Sequence, residues 1–383
     1  MELKPYVAEI LAEIESEGEK AVEKYSEKYD DYRGPLRVEE GEYPKSEDIS
    51  EEERKAIEAA IDRVRDHHER QKPDGDLYFQ SGSIYGTLYR PMERVGIYVP
   101  GGKPLPSTLI MTGIPALLAG VDELIVTSPP SSHGDIDPYV LYVAEVLGID
   151  ELYRLGGVQA IGAMAYGAGL TSVDKIFGPG NKYVNEAKRQ VYGQVGIDGL
   201  AGPSEVCIVA DETADERHVL ADLRSQLEHD RDSRAWLLTT SADLGRYCED
   251  SGAKVEIRDD LPSCIERAND LAPEHLQIMT TGGERLLDRV RNAGAIYLGT
   301  YTPAAAADYF LGVNHVLPTG GAAKFDSVLT VRDFMKPISV ARTGKEEFRE
   351  NCYIGKRLAD LEGMSNHLKA LEVRDDEETD RGS

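Results

Sequence analysis

The chain has 383 residues, 41% of them hydrophobic, with a formal net charge of −26 and a pI near 4.7. That length can bury a sizeable core and suits two domains or more, while the acidic balance argues against nucleic acid and anionic membrane as partners. The longest apolar run, around Leu109 to Val121, is interrupted by Thr, Gly and Pro and is too short to span a bilayer.

The opening stretch, MELKPYVAEILAEIESEGEK, is acidic and amphipathic. It lacks a basic start followed by an apolar core, so it does not read as an export signal, and a cytoplasmic protein is expected. Residues 5–28 and 50–71 read as amphipathic helices rich in Glu, Lys and Arg. Arg94–Val99 is a short apolar strand closed by Pro100-Gly-Gly102, and a helix-like run starts near Ser107. A strand at Glu123–Thr127 precedes a helix near 137–147. A Gly-rich turn and helix at 156–167, a strand at Lys175–Phe177, the turn Gly178-Pro-Gly180 and a helix from Asn181 come next. Further strands are expected at Glu205–Ala210, Ala235–Thr240, Leu276–Thr280 and Ala295–Leu298, each followed by a helical pattern.

Repeated strand–helix units imply parallel sheet covered on both faces. The number of strands suits two such sheets, so the expected fold is α/β: two doubly wound, incomplete Rossmann-like domains with a C-terminal helical arm. The reading pairs 1–97 with 205–330 as one discontinuous domain and makes 98–204 the second. It takes 331–373 as the arm and 374–383 as a charged, disordered tail. The four cysteines form no CxxC pair, so reduced thiols are expected. Charge spread along the whole chain suits hydration in high salt, which points to a halophilic host.

Five polar clusters stand out. Leu271-Ala-Pro-Glu-His-Leu276 sets a carboxylate, Glu274, beside an imidazole, His275, after a proline that ends the preceding helix. Neighbours in an extended segment point to opposite sides, so each could serve a different proton transfer near neutral pH. Gln226 and His229 lie three apart in a helical pattern and can approach one ion together. Asp308 sits near a helix end, with His315 beyond the turn. Glu362 and His367 fall in the C-terminal arm, where five helical residues would not align them unless Gly363 bends the backbone. The turns Pro100-Gly-Gly102, Gly156-Gly157 and Gly178-Pro-Gly-Asn181 could let a phosphate or carboxylate approach a helix N-terminus, although none is a GxGxxG fingerprint. Each cluster by itself also reads as an ordinary feature: a polar loop, a solvated helix face, a helix end, a tight turn. His67, His68, His133 and His218 fall in charged or loop surroundings and read as surface residues.

Taken together and in order, the segments VGIYVPGG, GGVQAIGAMAYG, KIFGPGNKYVNEAKRQV, AGPSEV, SQLEHDRDS, LAPEHL, DYFLGVNHVLPT and LEGMSNH resemble the histidinol dehydrogenase family over most of the chain. The resemblance implies an oxidation of L-histidinol to L-histidine in two steps, each reducing one NAD, with zinc holding the substrate. It implies zinc bound by Gln226, His229, Asp308 and His367, and Glu274 and His275 as the acid/base pair. His275 would take the alcohol proton, and Glu274 would activate the water that hydrates the aldehyde. Ser107, Ser204, His315 and Glu362 would hold the substrate, and Tyr98, Gln159 and Asn181 would contact NAD. A homodimer is implied, with the arm reaching into the partner's site.

The chain departs from the family pattern in three places. The carboxylate usual before the Asp-Tyr motif is replaced by Ala304, the residue two after His275 is Gln277 rather than Glu, and the loop after Gly102 is one residue shorter. Retention of His315 and Glu362 favours histidinol as substrate. Ala304 keeps open a paralogue that oxidises another primary alcohol to its acid, such as a sulfonated diol.

Overall fold

Parallel sheets of one strand order, used twice, organise this protein. The computed structural model describes residues 2–43, 49–80, 82–131, 133–228 and 231–375. The chain opens with helices α1 (Leu3–Glu17) and α2 (Glu19–Asp30), which separate at Gly18, where φ of 64° interrupts helical hydrogen bonding. Helix α3 (Glu51–Glu69) starts in a Ser50–Glu53 capping box. An antiparallel hairpin follows, β1 (Asp76–Gln80) and β2 (Ser83–Pro91).

Strands and helices then alternate: β3 (Arg94–Tyr98), α4 (Pro106–Ala119), β4 (Glu123–Ser128), α5 (Pro138–Leu147), β5 (Glu151–Arg154), α6 (Gly157–Tyr166), β6 (Lys175–Phe177), α7 (Lys182–Val191) and β7 (Gly196–Ile197). The alternation repeats through β8 (Glu205–Ala210), α8 (Glu216–Leu227), β9 (Arg234–Thr239), α9 (Ala242–Tyr247), β10 (Lys254–Ile257), α10 (Leu261–Leu271), β11 (His275–Met279) and β12 (Ala295–Leu298). Helix α11 (Ala304–Tyr309), strand β13 (Met335–Arg342) and helices α12 (Lys345–Leu361) and α13 (Ser365–Asp375) complete the chain.

Two compact units result, Met1–Lys72 with Pro91–Phe334, and Pro73–Arg90 with Met335–Ser383. The larger unit holds two five-stranded sheets, ordered β5-β4-β3-β6-β7 and β10-β9-β8-β11-β12. Every pairing in them is parallel. Their strands are apolar on both faces because helices cover both. In the second sheet, Val206, Ile208 and Leu237 pack toward α8 and α9, while Cys207, Val209 and Ile278 pack toward α10. All four cysteines are free thiols and buried, as expected.

The smaller unit contains the β1-β2-β13 sheet, with α12 packed on α13. Tyr85 there donates a 3.2 Å hydrogen bond to Glu347 of α12. Its sheet strands carried no sequence signal. The arm is two helices, broken where Gly363 turns at φ of 69°, as its glycine suggested.

The domain boundaries differ from the sequence-based reading. Strand β3 pairs with β4 and β6, and α1 packs on α6 and α7, so the N-terminal stretch joins the 98–204 sheet rather than the 205–330 sheet. Val7, Ile10, Leu11 and Ile14 of α1 are the reason, since they bury among Ile161, Val184 and Ala187. Of the tail 374–383, Arg374 and Asp375 belong to α13, and 376–383 lie outside the described residues.

Candidate active site

Glu274 and His275 sit at the amino edge of the second sheet, where α10 hands over to β11. The handover is sharp. Ala272 caps α10 in the left-handed region at φ of 49°, a costly conformation for a residue with a Cβ, and Pro273 follows. The backbone is then tied to the start of β12, because Gly294 N–H donates to Pro273 O and Ala295 N–H to Glu274 O, both at 2.9 Å. Position 294 must be glycine, since a Cβ there would lie 2.6 Å from Glu274 O.

Both side chains are buried. Sequence alternation put them on opposite sides, but the structure brings Glu274 Oε1 to 3.7 Å from His275 Nε2. The reason is that Glu274 lies in the bend before β11 begins. Its Oε2 accepts the N–H of Glu205 at 2.8 Å. Burial pushes the Glu274 carboxyl up to about 8, against the pull of that N–H, and the Asp308 and Glu205 carboxylates push the same way. A carboxyl poised there exchanges protons near neutral pH. His275 Nδ1 is hydrogen-bonded to the Tyr297 hydroxyl at 3.1 Å, and the two rings stack. Burial, with the Asp308 and Glu274 charges, holds the Tyr297 proton in place.

Asp308 ends α11, and its Oδ1 lies 3.6 Å from His315 Nδ1. Asp308 also lines a cavity of about 410 Å³ with Ser107 and Pro104. Gln226, on α8, is buried, and its Nε2 has no hydrogen-bond partner among the described residues. Helix α8 touches α11, so Gln226 and Asp308 stand on contacting elements. The Gln226 amide oxygen and the Asp308 carboxylate are oxygen donors of the kind zinc accepts. The described residues hold no cluster of three or more His, Cys, Asp or Glu arranged for a metal. Of the four expected ligands, His229 lies outside the described residues, and His367 belongs to the smaller unit. Glu362 and His367 are both exposed there, on either side of the Gly363 turn. Ser204 is half-buried just before β8.

The two departures at 277 and 304 meet. Gln277 Oε1 accepts the Ala304 N–H at 3.3 Å, and its Nε2 donates to Asp222 at 2.8 Å. Gln277 therefore serves a free N–H at the start of α11, while the Ala304 methyl packs with Tyr297 and Ala307.

The three expected NAD contacts also meet. Tyr98, Gln159 and Asn181 line one cavity of about 1050 Å³, with Gly101, Gly102 and Gly180 from the glycine turns. It lies at the carboxyl ends of β3 and β6, where the strand order reverses, the usual place for a ligand in an open α/β sheet. Asn181 caps α7 by accepting from Tyr183 and Val184 N–H. Gly178 is pinned at both ends: its N–H donates to Asp198 at 2.7 Å and its C=O accepts from Lys188 at 3.0 Å, and those two side chains form a buried ion pair. At φ of 117°, a Cβ on Gly178 would lie 2.0 Å from Tyr98 O. The Gly156-Gly157 turn is not open to a phosphate as its sequence suggested. Gly156 N–H donates to Asp30 and Gly157 N–H to the Tyr98 hydroxyl, each at 3.3 Å.

Tyr297, Asp30, Lys188 and Asp198 went unassigned in the sequence because each acts on a partner on another element. Glu205 stands in the AGPSEV segment, which could have flagged it.

Known proteins resemble the whole chain. A family model described as histidinol dehydrogenase matches residues 1–254 and 247–375. A histidinol dehydrogenase of Thermococcus kodakarensis is 60% identical over 373 residues, covering 97% of this chain and 99% of that one. One from Thermus thermophilus is 44% identical over 350 residues, covering 86% of this chain and 84% of its own length. The crystal structure of histidinol dehydrogenase from Elizabethkingia anophelis superposes with a TM-score of 0.94 at 35% identity, covering 98% of this chain and 92% of the other.

Proposed function

This chain belongs to the histidinol dehydrogenase family, an oxidoreductase of histidine biosynthesis, and on that footing we propose that it oxidises L-histidinol to L-histidine through L-histidinal, using zinc and two equivalents of NAD. The observation that carries the proposal is the buried Glu274–His275 couple, with Glu274 pushed up to about 8.

Gln226, His229, Asp308 and His367 would hold zinc, and Tyr98, Gln159 and Asn181 would hold NAD. When bound, zinc polarises the substrate oxygen and NAD accepts hydride. The chain's own residues handle the protons. With Nδ1–H donated to the Tyr297 oxygen, His275 presents Nε2 as an acceptor for the alcohol proton as hydride departs. Glu274, ionised in part near its own pKa, takes a proton from the water that adds to the aldehyde. His275 then takes the hydrate proton in the second oxidation. Burial of both groups keeps bulk water from the transfers. Ser107, Ser204, His315 and Glu362 position the substrate.

The active assembly is a homodimer. The smaller unit leaves the apolar side chains of Phe79, Tyr353, Leu358 and Leu361 exposed, and a second copy would cover such side chains. Its arm would bring Glu362 and His367 to the partner's site. The acidic composition fits a cytoplasm of high salt, and no helix among the described residues is long and apolar enough to cross a membrane.

Purified protein given L-histidinol, NAD and zinc should form two NADH per histidine. No NADH from histidinol, with NADH from a sulfonated diol, would reassign the substrate, and Ala304, in place of the family's usual carboxylate, is the feature that favours that outcome.

A further inference from the structure

The large cavity at the carboxyl edge of the first sheet has a wall that no glycine turn supplies. It comes from the N-terminal helices: Tyr6 and Ile10 of α1, then Tyr29 and Asp30 at the end of α2. Asp30 lies 129 residues before Gln159, yet its Oδ2 accepts the Gln159 Nε2–H at 2.9 Å. The same oxygen accepts Gly156 N–H at 3.3 Å. The fit is close, because a Cβ on Gly156 would lie 2.9 Å from Asp30 Oδ1.

This contact fixes the Gln159 amide with Nε2 on Asp30 and Oε1 turned the other way. The reversed amide would set its carbonyl oxygen against the Asp30 carboxylate, acceptor against acceptor, and is excluded on chemical grounds. Gln159 is 1% exposed, and its Oε1 has no hydrogen-bond partner among the described residues. A buried carbonyl without a donor is unfavourable, so a bound molecule that brings one gains from filling the position. The N–H of the N-cap Gly156 and that of Gly157, the first residue of α6, are already taken by Asp30 and Tyr98, and a carboxylate sits beside them. The chemistry of this wall therefore suits a neutral N–H or O–H donor and disfavours phosphate.

Resting on the NAD reading of this cavity, we propose that Asp30 is a positioning residue for dinucleotide binding. It holds Gln159 so that Oε1 accepts a hydrogen bond from a ribose hydroxyl, the adenine amine or the nicotinamide carboxamide, and it keeps the pyrophosphate away from the start of α6. Asp30 need not touch the dinucleotide itself, since its effect runs through Gln159.

The test is calorimetric NAD affinity of the full-length protein, with the thermal midpoint of each variant checking its fold. Asp30→Ala and Gln159→Ala should each weaken NAD by about tenfold, the size expected for one hydrogen bond lost. The double variant should be no weaker than Gln159→Ala, because the two act as one unit. Asp30→Asn keeps an acceptor for Nε2 and should restore most of the affinity. In turnover, the loss should appear in KM for NAD rather than in kcat. Nicotinamide hypoxanthine dinucleotide lacks the adenine amine, and the 3-acetylpyridine analogue lacks the carboxamide N–H. The analogue for which Gln159→Ala no longer matters identifies the donor, and sensitivity to both identifies a hydroxyl. NAD bound by Asp30→Ala as tightly as by the parent protein, or a double variant losing the product of the single effects, would overturn the role of Asp30 alone. A parent protein that binds no NAD would overturn the nucleotide reading and this inference with it.

Discussion

The two parallel sheets of the larger unit share one strand order and are used at opposite ends. The first sheet opens its carboxyl edge, where Gly101, Gly102 and Gly180 line a cavity at the point of strand reversal. The second sheet closes the corresponding edge. There Asp211, following β8, accepts from Thr213 N–H and hydroxyl at 3.0 and 2.6 Å and from the Thr280 hydroxyl after β11. Those donors hold its carboxyl below the usual range despite burial, so a charge stands where a nucleotide phosphate would need to enter. The buried titratable groups of this sheet sit instead at the amino edge, with Glu205, Glu274 and His275 at the starts of β8 and β11. Topology offered the same crevice twice. Side chains just beyond the strands decided which edge was kept open.

If the edges are divided in this way, damage at each should read out differently. His275→Asn at the amino edge should retain zinc and lose turnover by about a thousandfold, the range expected for a proton-transfer group. Full turnover in that variant would mean that another group is the base. Lys188→Met on the first sheet should cost about 3 kcal/mol in urea unfolding, because it leaves Asp198 buried and unpaired beneath the Gly178 turn. An unchanged midpoint would show that the pair contributes nothing to stability. The two crowded glycines separate the edges further. Gly178→Ala should raise KM for NAD by about tenfold or more, and Gly294→Ala should lower kcat instead, because their added methyls meet Tyr98 and Glu274 backbone respectively. Both variants showing the same kinetic defect would erase the distinction.

A further effect concerns pH. Glu274 has its carboxyl raised from an ordinary 4.5 to about 8. The folded chain therefore holds this proton through a window in which the unfolded chain has released it. Stability from this group should fall as pH rises from about 4.5 to about 8, by up to about 1.4 kcal/mol per unit. Chelator-treated Glu274→Gln should lose that slope, and an identical slope in both proteins would sink the assignment. Smallest of all, Asp211→Asn should change KM for NAD by less than about twofold. A strong effect there would mean that the second crevice is functional after all.

Much of this was legible in local sequence. The strand at Arg94–Val99, its Pro-Gly-Gly turn and the run at Glu205–Ala210 announce themselves by apolar density and by the residues that end them. The Glu274-His275 pair and the Asn181 turn stand out for the same reason, since proline, glycine and capping side chains act within a few residues. The β1-β2-β13 sheet did not, because its strands come from opposite ends of the chain and β1 is exposed along its length. His68 shows the limit most plainly. Its charged helical surroundings read as surface, yet it is fully buried and pushed down to about 4 by that burial. Its Nδ1 lies 2.8 Å from Val64 O, and its Nε2 meets the Asn314 amide at 3.1 Å across 246 residues. Asn314 in turn donates to Met111 O at 2.7 Å and accepts from Val316 N–H at 2.9 Å, holding the turn that carries His315.

The sequence by itself determined the alternation of strands and helices and the sharp turns, and it singled out the Glu274-His275 pair, because these depend on neighbours in the chain. Tertiary structure decided which edge of each sheet is open, that burial raises the Glu274 carboxyl to about 8, and that Asp30 reaches Gln159. Those outcomes depend on which distant groups come to share a low-dielectric space, and residue order carries no local signal of that.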